Sequence, residues 1–246
     1  MRIRSASVLP ALRSDVSFRT SDGVELVGEL SLPTSGAPSA TLVFFHPLPT
    51  HGGYMDSHLI RKAANRLPAM ANIAVLRFNF RGVESPRGKS EGSFGEGELE
   101  KFDLEAAIDF AVSRNLPNIW LVGGSFGTEV IFKHALGRSG TFKGIFLLAP
   151  PLHRATNDDL LRWVGRPEKM VALVPEHDDY LKPAEAAERF ARVPELQVVP
   201  ADGAKHLFVG ESYSSLALSE IVKVTNPQAL PLPPEWPEEE HLLGAD

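Results

Sequence analysis

Three short segments of this chain hold residues whose types and order suit nucleophilic chemistry: Gly123-Gly124-Ser125-Phe126-Gly127, Pro175-Glu176-His177-Asp178-Asp179 and Gly203-Ala204-Lys205-His206-Leu207-Phe208. A serine hydroxyl is a weak nucleophile at neutral pH, so Ser125 needs a base within hydrogen-bond reach and an acidic group to orient that base. The first segment follows an apolar run, NIWLVG, and precedes a helix-compatible stretch, TEVIFKHAL. In that context G-x-S-x-G reads as a sharp strand-to-helix turn, with glycines where the backbone is most crowded and the hydroxyl projecting from the sheet. His206 is the expected base and Asp178 or Asp179 the expected acid, because each pair of segments is separated by further strand and helix. An aspartate there could equally cap the helix that begins near Pro183.

The tetrahedral intermediate of such a reaction requires two preorganised donors. The Phe126 N–H, directly after the nucleophile, is one. For the other we expect the Leu48 N–H, since Pro47 and Pro49 carry no amide hydrogen and fix the backbone around it. Leu48, Phe126, Leu152, Tyr180 and Leu207 are the expected apolar walls for substrate, though each has the composition of an ordinary core residue.

These groups need a scaffold that brings distant residues to one rim. Near-alternating runs, DVSFRT and VELVGELSLP, flank Ser21-Asp22-Gly23 and predict an antiparallel hairpin. Unbroken apolar runs follow at TLVFFH, IAVLRF, NIWLVG, GIFLLAP and MVALVP, the pattern of strands covered on both faces. Helix-length segments alternate with them: SHLIRKAANRLPAM, ELEKFDLEAAIDFAVSR and TEVIFKHALGR, and later AEAAERFARV and SYSSLALSEIVKV. Strands and helices in alternation predict an α/β architecture with a mostly parallel sheet. Residues 81–97 read as a long surface loop whose Arg81, Arg87 and Lys89 are either solvated or able to hold an anionic substrate. The body is expected to span residues 1–225, and the Pro-rich acidic tail, 226–246, to be extended, either flexible or an arm packed through Trp236.

Bulk properties narrow the chemistry. With 246 residues, 43% hydrophobic and 23% charged, the chain is long enough for one substantial core. The formal charge of −6 and the lack of long Lys/Arg runs speak against nucleic acid as a partner. Cysteine is absent, which removes disulfides, thiolate ligands and a cysteine nucleophile together. No apolar stretch has membrane-spanning length, and Pro10 and Arg13 interrupt the N-terminal run, so a cytoplasmic protein without a membrane partner is expected. His46, His51, Asp56 and His58 are near one another in sequence but lack metal-ligand spacing, so no metal and no cofactor are assigned. His46 is read instead as ordering its loop by hydrogen bonding. A homo-oligomer is a further expectation, with no motif behind it.

The order Ser, Asp, His, together with the strand-turn-helix around Ser125, resembles the α/β-hydrolase-fold serine hydrolases over about Val16 to Val224. It is especially similar to a group of small bacterial hydrolases with an HPxPxxGG-type loop, here His46 to Gly53, and an RFNFRG segment, here Arg77 to Gly82. The resemblance implies an eight-stranded, mostly parallel sheet, Ser125 as nucleophile and His206 as base. It also favours Asp178, because the family's acid commonly sits three residues after a glycine whose place Pro175 takes here; that departure keeps Asp179 open. Only residues 151–169 separate GIFLLAP from MVALVP, where many relatives insert a helical lid, so the lid is expected to be minimal or absent. The expected reaction is hydrolysis of a small-molecule carboxylic ester. A thioesterase, a peptidase or amidase, a cofactor-free haloperoxidase and a non-catalytic binder on the same scaffold are the rivals.

Overall fold

A computed structural model describes residues 2–237 of the chain. Its central sheet has eight strands, β1 (Leu12–Arg19), β2 (Glu25–Leu32), β3 (Ala40–Phe45), β4 (Ile73–Phe78), β7 (Ile119–Gly124), β8 (Gly144–Leu148), β9 (Lys169–His177) and β10 (Leu196–Lys205). A separate two-stranded hairpin, β5 (Glu84–Ser85) and β6 (Gly88–Lys89), lies within the long loop after β4. The order in the main sheet is β1-β2-β4-β3-β7-β8-β9-β10. β2 is antiparallel to both of its neighbours, and every other pairing between adjacent strands is parallel.

Period-two alternation splits the apolar strands between two cores. Within β3, Val43 and Phe45 face one cluster while Leu42 and Phe44 face the other. The first cluster is closed by α2 (Glu100–Ser113), α3 (Phe126–His134) and α5 (Pro183–Phe190), through residues such as Leu104, Ile108, Val130 and Phe190. The second is closed by α1 (His58–Ala71) and α6 (Glu211–Thr225), through Leu59, Ala63, Leu67, Leu218 and Ile221. Both faces are therefore covered, which is why the central strands read as unbroken apolar runs. A contiguous row of rings crosses the first core: Phe110, Phe18, Phe78, Phe80, Phe126 and Phe94, with successive centroids 5.1–5.7 Å apart.

The region between β8 and β9 holds one short helix, α4 (Asn157–Leu161), capped at Thr156 by a reciprocal bond with Asp159, and no larger lid. In the 81–97 loop the two arginines are held in ion pairs, while Lys89 is exposed. Arg81 is 3% exposed and donates to Asp22 and Asp103, while Arg87 reaches Asp15, Glu29 and Asp56. Charge in a loop suggests a solvated surface, which holds for Lys89, whereas carboxylates of the body pair with Arg81 and Arg87. Residues 226–237 lie against the body: the Asn226 side chain donates to Ala71 O at 2.9 Å, Leu230 and Leu232 join the second core, and Ile3 N–H donates to Pro234 O at 3.0 Å. The rest of the expected acidic tail, 238–246, lies outside the described residues. Among the described residues no helix is long and apolar enough to cross a membrane.

Candidate active site

Ser125 occupies the junction of β7 and α3 with φ +48°, a left-handed conformation that a non-glycine residue holds only when its surroundings enforce it. Two glycines do the enforcing. A Cβ on Gly123 would stand 2.6 Å from Thr128 N, and one on Gly127 would stand 2.1 Å from Phe45 O, so both positions are closed to any side chain. The Ser125 N–H donates to Leu148 O at 2.9 Å, and its carbonyl accepts from Thr128 N and Oγ1 at 2.9 and 2.6 Å. The backbone is thus fixed on both sides while the hydroxyl faces the strand ends.

There it meets His206, carried by the turn after β10. The Ser125 Oγ lies 2.8 Å from His206 Nε2, and His206 Nδ1 lies 2.8 and 3.1 Å from Asp178 Oδ2 and Oδ1. With Nδ1–H donating to the carboxylate, Nε2 is left as an acceptor for the serine proton. Asp178 is 3% exposed, and its Oδ1 also accepts from Tyr180 N at 2.8 Å. Asp179 is exposed and makes no contact with the imidazole. Of the two aspartates left open by the sequence, the structure brings only Asp178 to His206.

The imidazole is itself held in place. Phe208 N–H closes the turn on Lys205 O at 2.8 Å, His58 Nε2 contacts Leu207 O at 2.5 Å, and the Tyr180 ring packs edge-on with a centroid 4.6 Å from that of His206. His58, which the sequence groups only with His46, His51 and Asp56, thus serves to hold the 207 carbonyl. His46 is fully buried. Its Nδ1–H donates to Pro47 O at 2.7 Å and its Nε2 accepts from Phe80 N–H at 3.0 Å, fastening the 46–53 loop to the chain leaving β4. A second proton would turn that acceptor against a donor in a dry site, and burial pushes the imidazole down to about 4.

His51, Asp56 and His58 do not join His46 in a cluster. Asp56 pairs with buried Arg77, and among the described residues no group of three or more metal-ligating side chains converges. The Leu48 N–H makes no hydrogen bond among the described residues, and Phe126 N–H, at the start of α3, has no intrahelical acceptor. Leu48 and Phe126 line one cleft of about 640 Å³ together with Ser125, His206, Tyr180, Leu207 and Phe208.

Leu152 is a correction. It is 4% exposed, belongs to the first core and does not line the cleft, whereas Pro151, His153 and Arg154 do. Its positive φ of +52° turns the side chain inward, a reversal that residue type alone does not announce.

Known proteins share this fold. No protein-family model matches the chain. An uncharacterised protein of Rickettsia prowazekii is 31% identical over 121 residues, which is 48% of this chain and 48% of that protein, so the chain spans about half the length of the curated relative it matches. Among solved structures, an α/β serine hydrolase without a lid from Xanthomonas campestris is 25% identical with a TM-score of 0.72, covering 88% of this chain and 96% of that one. An α/β serine hydrolase homologue from Coxiella burnetii, 23% identical, gives a TM-score of 0.71 over 85% and 97% of the two chains. An esterase from Pyrococcus furiosus, 19% identical, gives 0.68 over 87% and 93%. The architecture is the α/β-hydrolase fold in its lidless form.

Proposed function

We propose that the chain is a serine hydrolase of carboxylic esters, in the small bacterial subgroup marked by the 46–53 loop and the 77–82 segment. Ser125 Oγ attacks the ester carbonyl while His206 Nε2 takes its proton. Asp178 keeps Nδ1 protonated and stabilises the imidazolium. The tetrahedral oxyanion is received by the Phe126 and Leu48 N–H groups, and collapse expels the alcohol, which takes its proton from His206. Water then attacks the acyl-enzyme by the same route and restores the serine.

What carries this reading is the unbroken series of hydrogen bonds from Ser125 Oγ through His206 to a buried carboxylate, with heavy-atom separations of 2.8 Å at both links. The open cleft supports a small acyl substrate reached directly from solvent. The same groups serve a thioester or an activated amide, and the leaving group decides between them. An alkyl fluorophosphonate tests the proposal: wild-type protein becomes covalently labelled at Ser125, and Ser125→Ala does not. A wild type that stays unlabelled, or a variant labelled equally, overturns it in favour of a binding protein on this scaffold. A panel of p-nitrophenyl esters and acyl thioesters then ranks the substrate classes.

A further inference from the structure

Glu129 stands four residues beyond Ser125, in the first turn of α3, and is 1% exposed. A carboxylate so placed is costly unless the fold uses it. Its Oε1 accepts the backbone N–H groups of Arg154 and of Ala155, the second at 3.2 Å. Its Oε2 has no hydrogen-bond partner and lies 3.8 Å from the Arg154 guanidinium, which in turn sits over the Phe126 ring, 5.4 Å from its centroid. All of these contacts hold a single piece of chain, the segment leaving β8.

That segment is not relaxed. Ala149 and Leu152 both adopt left-handed backbone conformations, φ +49° and +52°, which non-glycine residues keep only when the surroundings outweigh the strain. Leu152 is anchored by its buried side chain and by Arg189, which donates to its carbonyl at 3.2 Å. Glu129 anchors the next turn. Between the two anchors His153 faces the cleft, its ring 5.2 Å from Tyr180, whose ring packs on His206.

We propose that Glu129 is a positioning residue: by pinning residues 153–155 it makes the segment where a lid would be inserted into a fixed wall of the cleft. The part of the substrate that extends beyond the reacting carbonyl then meets a preorganised surface, and binding it costs no loop ordering. This rests on the ester-hydrolase reading for its kinetic consequence but not for its structural one.

The test compares wild type, Glu129→Ala and Glu129→Gln by hydrogen exchange of the peptide spanning 150–156 and by kinetics on p-nitrophenyl acetate and octanoate. In Glu129→Ala, exchange at 154 and 155 accelerates on the order of tenfold to a hundredfold, the factor that losing a hydrogen bond to a charged group corresponds to. KM for octanoate rises about tenfold while kcat for acetate stays within about twofold, because uniform binding is lost and the reacting groups are untouched. Glu129→Gln keeps an acceptor and falls between, and it carries the comparison if the alanine variant does not fold. Unchanged exchange overturns the pinning. Equal losses on both esters, or a fall in kcat alone, overturn the positioning role. A wild type that hydrolyses neither ester refutes the ester reading, and exchange alone then decides whether Glu129 pins the wall.

Discussion

Two neighbouring glycines at the elbow separate steric necessity from mere composition. In Gly127→Ala the added Cβ would lie 2.1 Å from Phe45 O and 2.6 Å from Phe45 C, against a normal contact of about 3.5 Å. Relief demands a displacement of roughly 1 Å, either of the first turn of α3 or of the end of β3. The first carries Ser125 and Phe126, and the second leads directly into His46 and Leu48, so either movement reaches the reacting groups. Overpacking of this kind costs about 1–3 kcal/mol, or a fall in Tm of about 2–12 °C for a chain of this size. A misplacement of about 1 Å reduces turnover on the order of a hundredfold. Gly124→Ala is the matched control, since its Cβ would meet nothing closer than Pro47 Cγ at 3.6 Å. It should leave Tm unchanged or slightly raised, by the entropy removed from the unfolded chain, and activity within a few-fold. Thermal melts by circular dichroism and rates of fluorophosphonate labelling provide the readouts. Equal damage from both substitutions, or wild-type behaviour in Gly127→Ala, would refute the steric account.

Asp178→Asn should lower kcat by about 10⁴-fold, because an amide no longer enforces the Nδ1–H form of His206, while Asp179→Asn should change it by less than about twofold; a reversed ranking in ester assays would exclude Asp178 as the acid. His46 gives a pH signature in stability. Its folded value near 4 lies below the ordinary 6.5, so the unfolded chain binds a proton that the folded one refuses, and stability falls as pH drops from about 6.5 to about 4. The full effect is about 3 kcal/mol, and denaturant melts across that range should show wild type losing more stability than His46→Asn by that amount, because His58 and His134, whose imidazoles burial also lowers, contribute equally to both. Asp103, whose carboxyl burial raises to about 6, contributes the opposite slope but does so in both proteins, so the comparison cancels it.

The meeting of Ser125, Asp178 and His206 was legible because it depends on residue types in a fixed order, and the elbow even announces its own sterics through Gly123 and Gly127. The strands were legible for a related reason: burial on both faces demands unbroken apolar runs such as IAVLRF. Helix bounds shifted by small amounts. The segment expected as one helix from Thr128 to Arg138 begins at Phe126 and tightens into a 3-10 turn at Ala135–Arg138. Choosing between Asp178 and Asp179 needed the turn geometry that buries one carboxyl and exposes the other. Leu152 and Arg81 depart from expectation for a common reason. Both lie in irregular chain, where side-chain direction follows individual backbone angles and distant partners instead of a period. Glu129 was overlooked because an acidic residue in a first helical turn is ordinary, and only the approach of the 154–155 backbone gives it work.

The row of phenylalanines from Phe110 and Phe18 to Phe126 gives the turn that holds Ser125 a distant mechanical support. Each ring braces the next edge-on or tilted, so no member can shrink without its neighbours leaning into the gap. The antiparallel margin of the sheet, which contributes nothing to the Ser125–His206–Asp178 contacts, therefore acts as a buttress for the elbow.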